Sequence, residues 1–283
     1  MNTIDLTAKA EALRALHAGA DPLVLPNAWD AITAVLVAEA GFGAVATTSA
    51  GVAWALGRPD GQVLTRDEML GAVARMAAVV SVPVTADLEA GYGPDPDAIA
   101  ATVRGAAEAG AVGLNIEDGI DHAKGTLFDE KLSIERIAAA RAEAKKIGVP
   151  MVINARTDLA FDRSRPEDER VAEAIRRGNA YLKAGADCVY PILFQKIETI
   201  RILAAEIKGP INVMASANLD VASLKDAGVK RISLATGVPR VVFGRLARTL
   251  AQLKSDGKFE FLKDGLETPA LNARFPRTQG KAE

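Results

Sequence analysis

The amino-acid sequence predicts an α/β fold, a (β/α)8 TIM barrel followed by a C-terminal extension. Eight short apolar runs alternate along the chain with longer segments of helical periodicity, which is the pattern of repeated βα units. The positions before these runs alternate strictly between a proline and the glycine of an Ala-Gly pair. The first run is followed by Pro26-Asn27-Ala28-Trp29-Asp30, without the Gly-rich phosphate turn that a doubly wound sheet would need.

The residue before each run supports its assignment as a strand. Proline is tolerated at the first residue of a strand, and it precedes the odd-numbered strands at Pro22, Pro83, Pro150 and Pro210. Glycine is common just past the end of a helix, and it precedes the even-numbered strands at Gly41, Gly110, Gly185 and Gly228. The helical segments are predicted at 31–40, 65–80, 96–109, 133–147, 167–184, 196–207, 219–227 and 239–254. Eight such units in 283 residues are typical of a barrel.

The domain prediction assigns residues 1–254 to the barrel with an N-terminal helix. Residues 255–283 are expected to be a C-terminal extension that is either bound to the surface or packed on a neighbouring subunit. Two connections are longer than a minimal βα unit, at 48–64 after strand 2 and at 119–132 after strand 4. Long loops at this end of a barrel are usually functional and often act as lids.

The composition excludes several classes of protein. The net charge of −2 and the pI near 5.9 give no support for binding nucleic acid or an anionic membrane. A single cysteine, Cys188, excludes an internal disulfide and a CxxC-type zinc cluster. No apolar run reaches membrane-spanning length, and the N-terminal segment favours an amphipathic helix over a signal peptide. We therefore expect a soluble, cytoplasmic, enzyme-sized protein.

The segment 84–93, Val-Thr-Ala-Asp-Leu-Glu-Ala-Gly-Tyr-Gly, places two carboxylates at the end of strand 3. Asp87 and Glu89 are two residues apart, so in a strand both point to the same side. Two such charges repel each other by roughly 4 kcal/mol at 4 Å and an effective dielectric near 20. The pair alone would fit a solvated acidic loop as well as a site that binds a cation or holds a proton.

Neighbouring strands bring further polar residues to the same end of the predicted barrel, where active sites of this fold lie. Alternation points Asn115 and Glu117 inward from strand 4, Asn154 and Arg156 from strand 5, and Asn212 from strand 7. The three asparagines fit a satisfied polar layer as well as ligand contact. Asp87, Glu89, Glu117 and Arg156 leave an excess of negative charge, which predicts a divalent cation, Mg²⁺ with Mn²⁺ as the alternative.

The residue inventory limits the chemistry. No His and no Lys stand at a strand end, Cys188 begins strand 6 at the opposite face, and Ser49 has no visible His partner. A serine-nucleophile triad and a Schiff-base aldolase are thereby disfavoured. A metal electrophile, an arginine and backbone donors remain, a set that stabilises an enolate or carboxylate oxygen. A 2-oxo acid could chelate the metal while the donor-rich turn Thr48-Ser49-Ala50-Gly51 holds its carboxylate.

These residues resemble the isocitrate lyase/phosphoenolpyruvate mutase superfamily over most of the chain. The resemblance is carried by Asp87-Leu-Glu-Ala-Gly-Tyr-Gly93, Asn115-Ile-Glu-Asp118, Asn154-Ala-Arg-Thr-Asp158 and Gly57-Arg-Pro-Asp60. It implies a Mg²⁺-dependent barrel that acts on 2-oxo acids through enolate-type intermediates. The metal residues would be Asp87, Glu89 and Glu117, with Asp60 and Arg156 in catalytic roles. The substrate-binding residues would be Thr48, Ser49, Ala50, Asp87, Arg156 and Asn212. The resemblance also implies a homo-oligomer, a dimer or a tetramer.

Departures from the family pattern bear on the reaction. The lyases carry a Lys-Lys/Arg-Cys-Gly-His lid, whereas this chain has Asp121-His-Ala-Lys-Gly-Thr-Leu127. Asn115 stands where those lyases have His, and Ile192 where they have a Glu that binds the second carboxylate. These changes disfavour isocitrate or methylisocitrate cleavage. The resulting prediction is a Mg²⁺-dependent lyase or decarboxylase acting on a small 2-oxo acid through a metal-stabilised enolate. The alternatives are a non-catalytic 2-oxo-acid-binding protein, or a phosphonopyruvate- or methylisocitrate-type P–C or C–C bond enzyme.

Four further residues are expected to have supporting or surface positions. Asp118 is predicted to be a cap or a supporting group behind the site, and Asp158 to pair with Arg156 or cap the next loop. His122 is expected in a mobile, solvated lid loop. His17 is expected on the surface of the N-terminal helix.

Overall fold

The protein is described here by a computed structural model, which covers residues 3–275. Its central feature is a ring of eight parallel strands, numbered β1 to β8 in chain order. The strands are β1 Leu23–Leu25 with its continuation Asn27–Ala28, β2 Val45–Thr47, β3 Val84–Asp87, β4 Gly113–Glu117, β5 Val152–Thr157, β6 Cys188–Pro191, β7 Asn212–Met214 and β8 Arg231–Ser233.

The ring closes because β1 pairs with both of its neighbours. Its first part pairs with β8, where Leu23 lies opposite Arg231, and its second part pairs with β2, where Asn27 lies opposite Ala46. Pro26 separates the two parts, and proline has no N–H to give to a ladder. β2 to β6 pair in sequence, β7 pairs with β8, and a bridge between Val189 and Ile211 joins β6 to β7. The prediction of a (β/α)8 barrel is confirmed.

The predicted helical segments are all helical, with ends shifted by a few residues. The helices are α1 Thr3–His17, α2 Ala31–Glu39, α3 Ser49–Ala55, α4 Arg66–Ala77, α5 Pro96–Glu108, α6 Glu130–Lys146, α7 Glu167–Ala184, α8 Ile197–Glu206, α9 Val221–Asp226, α10 Gly237–Asp256 and α11 Thr268–Ala273. α6 begins three residues before the predicted segment, because the Asp129 side chain accepts from the Lys131 and Leu132 N–H groups and caps the helix there.

Helix α3 lies in a segment that the sequence predicted to be a loop. Thr48 precedes its first turn in an extended conformation, and residues 49–53 are buried. The short residues of Ser49-Ala50-Gly51 allow this turn to pack closely at the end of β2. The expected turn Thr48-Ser49-Ala50 is therefore the beginning of a helix.

Helix α1 places His17 in the interior, which contradicts its expected position on a helix surface. Leu6, Ala10, Leu13 and His17 form one buried face of this helix. The His17 Nδ1 lies 2.8 Å from the Leu13 carbonyl oxygen, and its Nε2 lies 3.5 Å from Arg231 at the start of β8. Burial and the charge of Arg231 lower the pKa of His17 to about 4.

The segment after β4 forms an ordered hairpin, which we call the lid hairpin (residues 119–127). Its two arms are Gly119–Asp121 and Thr126–Leu127, and they pair antiparallel. Asp121 Oδ1 accepts from the Ala123 and Lys124 N–H groups and stabilises the turn. Gly125 has φ of +65° and lies against backbone atoms of Phe161 and Asp162, so a side chain there would collide with them.

The chain divides into two compact units, Met1–Gly237 and Val238–Glu283. The first contains the eight strands and helices α1 to α9, with an apolar core between strands and helices that includes Val189, Ile200, Leu203 and Val213. The second contains all of α10 beyond Gly237, a 3-10 helix at Glu260–Asp264, and α11. The predicted boundary after residue 254 lies near the end of α10. Residues 276–283 of the predicted extension lie outside the described residues. Within residues 3–275, no helix combines the length and apolar character needed to cross a membrane.

Candidate active site and metal centre

The candidate site lies at the carboxyl-terminal ends of adjacent strands. The strand registers place Asp87 opposite Asn115, and Glu117 opposite Arg156. After Asp87 the chain leaves the sheet, and Glu89 has φ of 50°. A left-handed backbone at a non-glycine residue costs roughly 1–2 kcal/mol, so the surrounding contacts hold this turn. One of them is a hydrogen bond of 3.0 Å from the Glu117 N–H to the Glu89 carbonyl.

Asp87 is held by hydrogen bonds from neighbouring elements. Its Oδ2 accepts from the Ser49 N–H at 3.0 Å and from the Ser49 hydroxyl at 2.8 Å. Its Oδ1 accepts from Asn115 Nδ2 at 3.3 Å, and its own N–H donates to the Thr47 hydroxyl at 2.8 Å. The beginning of α3, which the sequence assigned to a substrate carboxylate, thus contacts the Asp87 carboxylate through Ser49.

Glu89 and Asp60 are acids without an opposing cation among their close contacts in the described chain. Burial, together with the negative charges of Asp87, Glu117 and Asp60, raises the pKa of Glu89 from 4.5 to about 8. Asp60 is an exposed loop residue, but it faces the cavity described below. Burial there and the charge of Asp87 raise the pKa of Asp60, although a hydrogen bond of 2.9 Å from the Gly61 N–H opposes the rise. At neutral pH Glu89 therefore holds its proton in the absence of a cation.

Arg156 lies between two buried carboxylates. Its Nη1 donates to Glu117 Oε1 at 2.5 Å, and its Nε donates to Asp158 Oδ1 at 2.6 Å. Burial opposes the charged guanidinium, but Asp158 and Glu117 raise the pKa of Arg156 above its ordinary value. Burial raises the pKa of Glu117 to about 7, against the opposing effect of Arg156. Of the two predicted roles of Asp158, pairing with Arg156 is confirmed.

His122, at the turn of the lid hairpin, points into the site. Its Nε2 lies 2.9 Å from Asp158 Oδ2 and 3.4 Å from Glu117 Oε2. Its ring stacks on Phe161 with a centroid distance of 4.4 Å. Hydrogen bonds to Asp158 and Glu117 raise the pKa of His122 to about 10, so it is an imidazolium at neutral pH. His122 is exposed, as expected of a residue in the lid, but the sequence did not predict that its ring would contact two buried carboxylates.

A cavity of about 730 Å³ opens beside these groups and beneath the lid hairpin. Its charged lining residues are Asp60, Glu89, Glu117, Asp121 and His122. Apolar side chains, among them Ile120 and Phe128, line the remainder. Within residues 3–275, His122 is the only basic side chain that lines it, and that side chain is already paired with two acids.

Arg136 supports the site from behind, and sequence reasoning missed it. Its Nη1 donates to the carbonyls of Gly93 and Pro94, both at 3.0 Å, and its Nη2 donates to the carbonyl of Ala90. Its guanidinium lies 4.1 Å from the ring centroid of Phe128. Arg136 therefore joins the loop that follows Glu89 to the base of the lid hairpin. The helical spacing of the sequence could have indicated that Arg136 is buried, because it lies on the same face of α6 as Ser133, Ile137 and Ala140.

Asp118 lies behind the ion pairs and supports them, which is one of the two roles predicted for it. Its Oδ1 accepts from the Asp158 N–H at 2.8 Å. Its Oδ2 accepts from the Tyr181 hydroxyl at 2.6 Å and from Arg177 Nη1 at 3.3 Å. Burial and the charge of Asp158 raise the pKa of Asp118, while Tyr181 and Arg177 oppose the rise.

Of the predicted site residues, three line the cavity, Asp60, Glu89 and Glu117; the others are not among its lining residues, namely Thr48, Ser49, Ala50, Asp87, Arg156 and Asn212. The Thr48 N–H donates to the Ala28 carbonyl, and Ala50 is buried in the first turn of α3. Asn212 Oδ1 accepts from the Ser233 hydroxyl at 3.2 Å, and its Nδ2 has no hydrogen-bond partner within the described chain. Asn154 Nδ2 donates to Asn115 Oδ1 at 2.8 Å. These contacts fit a polar layer inside the barrel, and substrate contact by Thr48, Ala50 and Asn212 stays a prediction.

The donor set fits a hard divalent cation. Carboxylates on Asp60, Asp87, Glu89 and Glu117 supply oxygen atoms only, which are the ligands that Mg²⁺ prefers. Burial and the charges of Asp87, Glu117 and Asp60 raise the pKa of Glu89 to about 8, and a cation bound beside it would favour its ionised form. Within residues 3–275, the one group of three or more possible ligand atoms that all lie within 4.8 Å of one another is on Glu117, His122 and Asp158. Arg156 and His122 already balance the charges of Glu117 and Asp158 in that group, and a cation site at Asp87, Glu89 and Glu117 stays a prediction.

The mouth of this parallel barrel combines an acidic cluster with a buried arginine. These features are typical of barrel enzymes that can bind a metal. Comparisons with known proteins narrow this class. The family model described as phosphoenolpyruvate phosphomutase matches residues 13–254. A 2-methylisocitrate lyase of Escherichia coli strain K12 is 32% identical over 216 residues, which cover 74% of this chain and 70% of that protein.

Solved structures agree with this assignment. A crystal structure of a Burkholderia cenocepacia J2315 protein matches with a TM-score of 0.88 and 37% identity, over 95% of this chain and 96% of that chain. An oxaloacetate acetylhydrolase in complex with the inhibitor 3,3-difluorooxalacetate matches with a TM-score of 0.85 and 25% identity, over 95% and 93% of the two chains. The chain belongs to the phosphoenolpyruvate phosphomutase family, within the isocitrate lyase/phosphoenolpyruvate mutase superfamily of lyases and mutases.

Proposed function

We propose that this protein is a Mg²⁺-dependent enzyme of the lyase or decarboxylase type that acts on a small 2-oxo acid. The observation that carries the proposal is the group of Asp60, Asp87, Glu89 and Glu117 beside Arg156 at the mouth of the barrel. Its acidic side lacks a balancing cation, and Arg156 is fixed in place by Glu117 and Asp158. Mn²⁺ has the same ligand preferences and is the alternative metal.

Each group has a defined part in this proposal. Asp87, Glu89 and Glu117 would hold the cation, with Asp60 acting through water. The bound cation would supply a Lewis acid that polarises the keto group of the substrate. Arg156 offers a fixed positive charge at the edge of the same group. The lid hairpin covers the cavity, and His122 holds a proton at Nε2 between Glu117 and Asp158.

The cavity favours a small acid over a tricarboxylate. Each further carboxylate of a substrate would need a cation or several donors. The one basic side chain that lines the cavity in the described chain, His122, is already engaged. Ile192, which replaces the Glu of the lyase pattern, is buried and offers no polar group. We therefore place oxaloacetate-sized acids ahead of methylisocitrate.

The test is turnover of a substrate panel with Mg²⁺ or with EDTA. The panel contains oxaloacetate, 2-oxoglutarate, phosphonopyruvate and methylisocitrate, and calorimetry measures binding in parallel. We expect product from a small 2-oxo acid with Mg²⁺ only, and its loss in Asp87→Ala but not in the exposed control Asp67→Ala. Full activity in EDTA would contradict the proposal. Saturable heat without product would identify a non-catalytic 2-oxo-acid-binding protein, and turnover of phosphonopyruvate or methylisocitrate would identify the other reaction types.

We also propose that the protein is a homo-oligomer, a dimer or a tetramer, assembled through its C-terminal unit. On α10, Val242, Leu246 and Leu250 recur every four residues and are all exposed, which is a stripe that a partner helix or barrel would cover. Light scattering after gel filtration should give a mass above that of one 29.6 kDa chain. Leu246→Asp should lower that mass, whereas Arg248→Asp, on the opposite side of the helix, should not. A monomeric wild-type protein would refute the proposal.

A further inference from the structure

Arg231 is a charged side chain inside the barrel that has no acidic partner among residues 3–275. It begins β8 and is 1% exposed. Within the described chain, its hydrogen-bonding contacts are His17 Nε2 at 3.5 Å and Asn115 Oδ1 at 3.3 Å, and its Nε has no partner. A buried charge without a counter-ion is costly, so its retention here calls for a reason beyond packing.

The contacts of Asn115 fix the orientation of its amide. An arginine can only donate hydrogen bonds, so the Asn115 atom facing Arg231 must be the oxygen. Asn154 Nδ2 donates to the same oxygen at 2.8 Å. The Asn115 Nδ2 must then face the other way, where it donates to Asp87 Oδ1 at 3.3 Å. Arg231 and Asn154 together thus hold the Asn115 oxygen away from the Asp87 carboxylate.

This orientation has a consequence for Asp87. A carboxylate offers about four lone-pair positions. Two are used by the N–H and hydroxyl of Ser49, and a third by Asn115. The fourth remains for a cation. A chain of contacts thus runs along the barrel interior from Arg231 through Asn115 to Asp87.

We infer that Arg231 is a positioning residue, which acts through the amide of Asn115 to hold the Asp87 carboxylate in the orientation that binds the divalent cation. The inference rests on the proposed function, in which Asp87 is a metal ligand. Groups that hold a metal ligand from behind typically change metal affinity by about 10- to 100-fold when they are removed.

A purely electrostatic role of Arg231 would have the opposite sign. Its positive charge repels a cation bound at Asp87, so its removal would tighten Mg²⁺ binding if charge alone mattered. Loss of positioning weakens binding instead. The direction of the change in affinity therefore separates the two explanations, and no measurement of catalytic activity is needed.

The experiment measures the dissociation constant of Mg²⁺ alone by calorimetry, in wild type, Arg231→Met, Asn115→Leu and the double variant. Both substitutions roughly keep side-chain size, and replacing a buried charge by an apolar group is often neutral for stability. We expect each single variant to bind Mg²⁺ about 10-fold more weakly. The double variant should also be about 10-fold weaker, not about 100-fold, because both substitutions remove the same restraint.

His17→Gln is the matched control. It changes the other contact of the Arg231 guanidinium but lies off the path to Asp87, so the Mg²⁺ affinity should stay within about twofold of wild type. Unchanged or tighter binding by Asn115→Leu and Arg231→Met would overturn the inference while the metal centre stands. If Arg231→Met does not fold, Asn115→Leu decides the outcome alone. Absence of Mg²⁺ binding by the folded wild-type protein would instead overturn the proposed metal centre, and the inference with it.

Discussion

Replacing Glu89 by glutamine should stabilise the metal-free protein, and more so at higher pH. Burial and three neighbouring acids raise the pKa of Glu89 from 4.5 to about 8. The folded state therefore holds the proton more tightly than the unfolded state. The stability that this proton provides is present below about pH 4.5 and is lost as the pH rises towards 8.

The size of the effect follows from the same two pKa values. Their difference of about 3.5, at about 1.4 kcal/mol for each tenfold change, sets an upper bound of about 5 kcal/mol at pH 8 and above. Glutamine resembles the protonated acid and does not titrate. The advantage of Glu89→Gln over wild type should be small near pH 5 and should approach several kcal/mol near pH 9.

Urea unfolding followed by circular dichroism, in the presence of EDTA at about pH 5, 7 and 9, measures this difference. Glu169→Gln serves as the control, because Glu169 is exposed in the first turn of α7. Added Mg²⁺ should reverse the order by stabilising wild type more than the variant. A difference between wild type and Glu89→Gln that does not change with pH would refute the assignment of Glu89 as a buried, uncompensated acid.

Two further predictions concern groups around the acids. Arg136→Met should lower the free energy of unfolding by about 3–5 kcal/mol, because the carbonyls of Ala90, Gly93 and Pro94 lose a charged donor. Arg136→Lys keeps the charge and should lower the free energy of unfolding by less. An unchanged urea midpoint in Arg136→Met would show that these hydrogen bonds do not stabilise the protein. Neither of the two histidines should titrate between about pH 5.5 and 9 in an NMR titration. Burial lowers the pKa of His17 to about 4, and hydrogen bonds to Asp158 and Glu117 raise the pKa of His122 to about 10. His17→Gln assigns the two sets of signals, and a midpoint near 6.5 for either ring would contradict the prediction for that histidine.

The sequence predicted the barrel because its signals are local. A proline or a glycine marks the start of each strand, and each strand needs only a short apolar run to be recognised. Alternation within strands then placed Glu117 and Arg156 on adjacent strands, where the structure pairs them at 2.5 Å. The prediction of Asp158 as a partner of Arg156 succeeded for the same reason, because the two residues are neighbours in the chain.

The failures concern contacts between residues distant in sequence. His17 is buried because Arg231, more than two hundred residues later, faces it across the end of the barrel. His122 enters the site because Asp158 attracts it from the next connection. Arg136 binds carbonyls more than forty residues away, and a carbonyl leaves no trace in the sequence. Helix α3 was taken for a loop because Gly51 lies within it.

The two sides of the site differ in charge. This difference, more than the number of acids, favours one position for the proposed cation. On one side, Glu117 and Asp158 share Arg156 and His122, so two acids meet two cations. On the other side, burial and neighbouring acids raise the pKa values of Asp60 and Glu89, and the charges of Arg156 and His122 oppose the rise only at Asp60. A divalent cation therefore gains most beside Glu89 and Asp87, at the edge of the compensated pair.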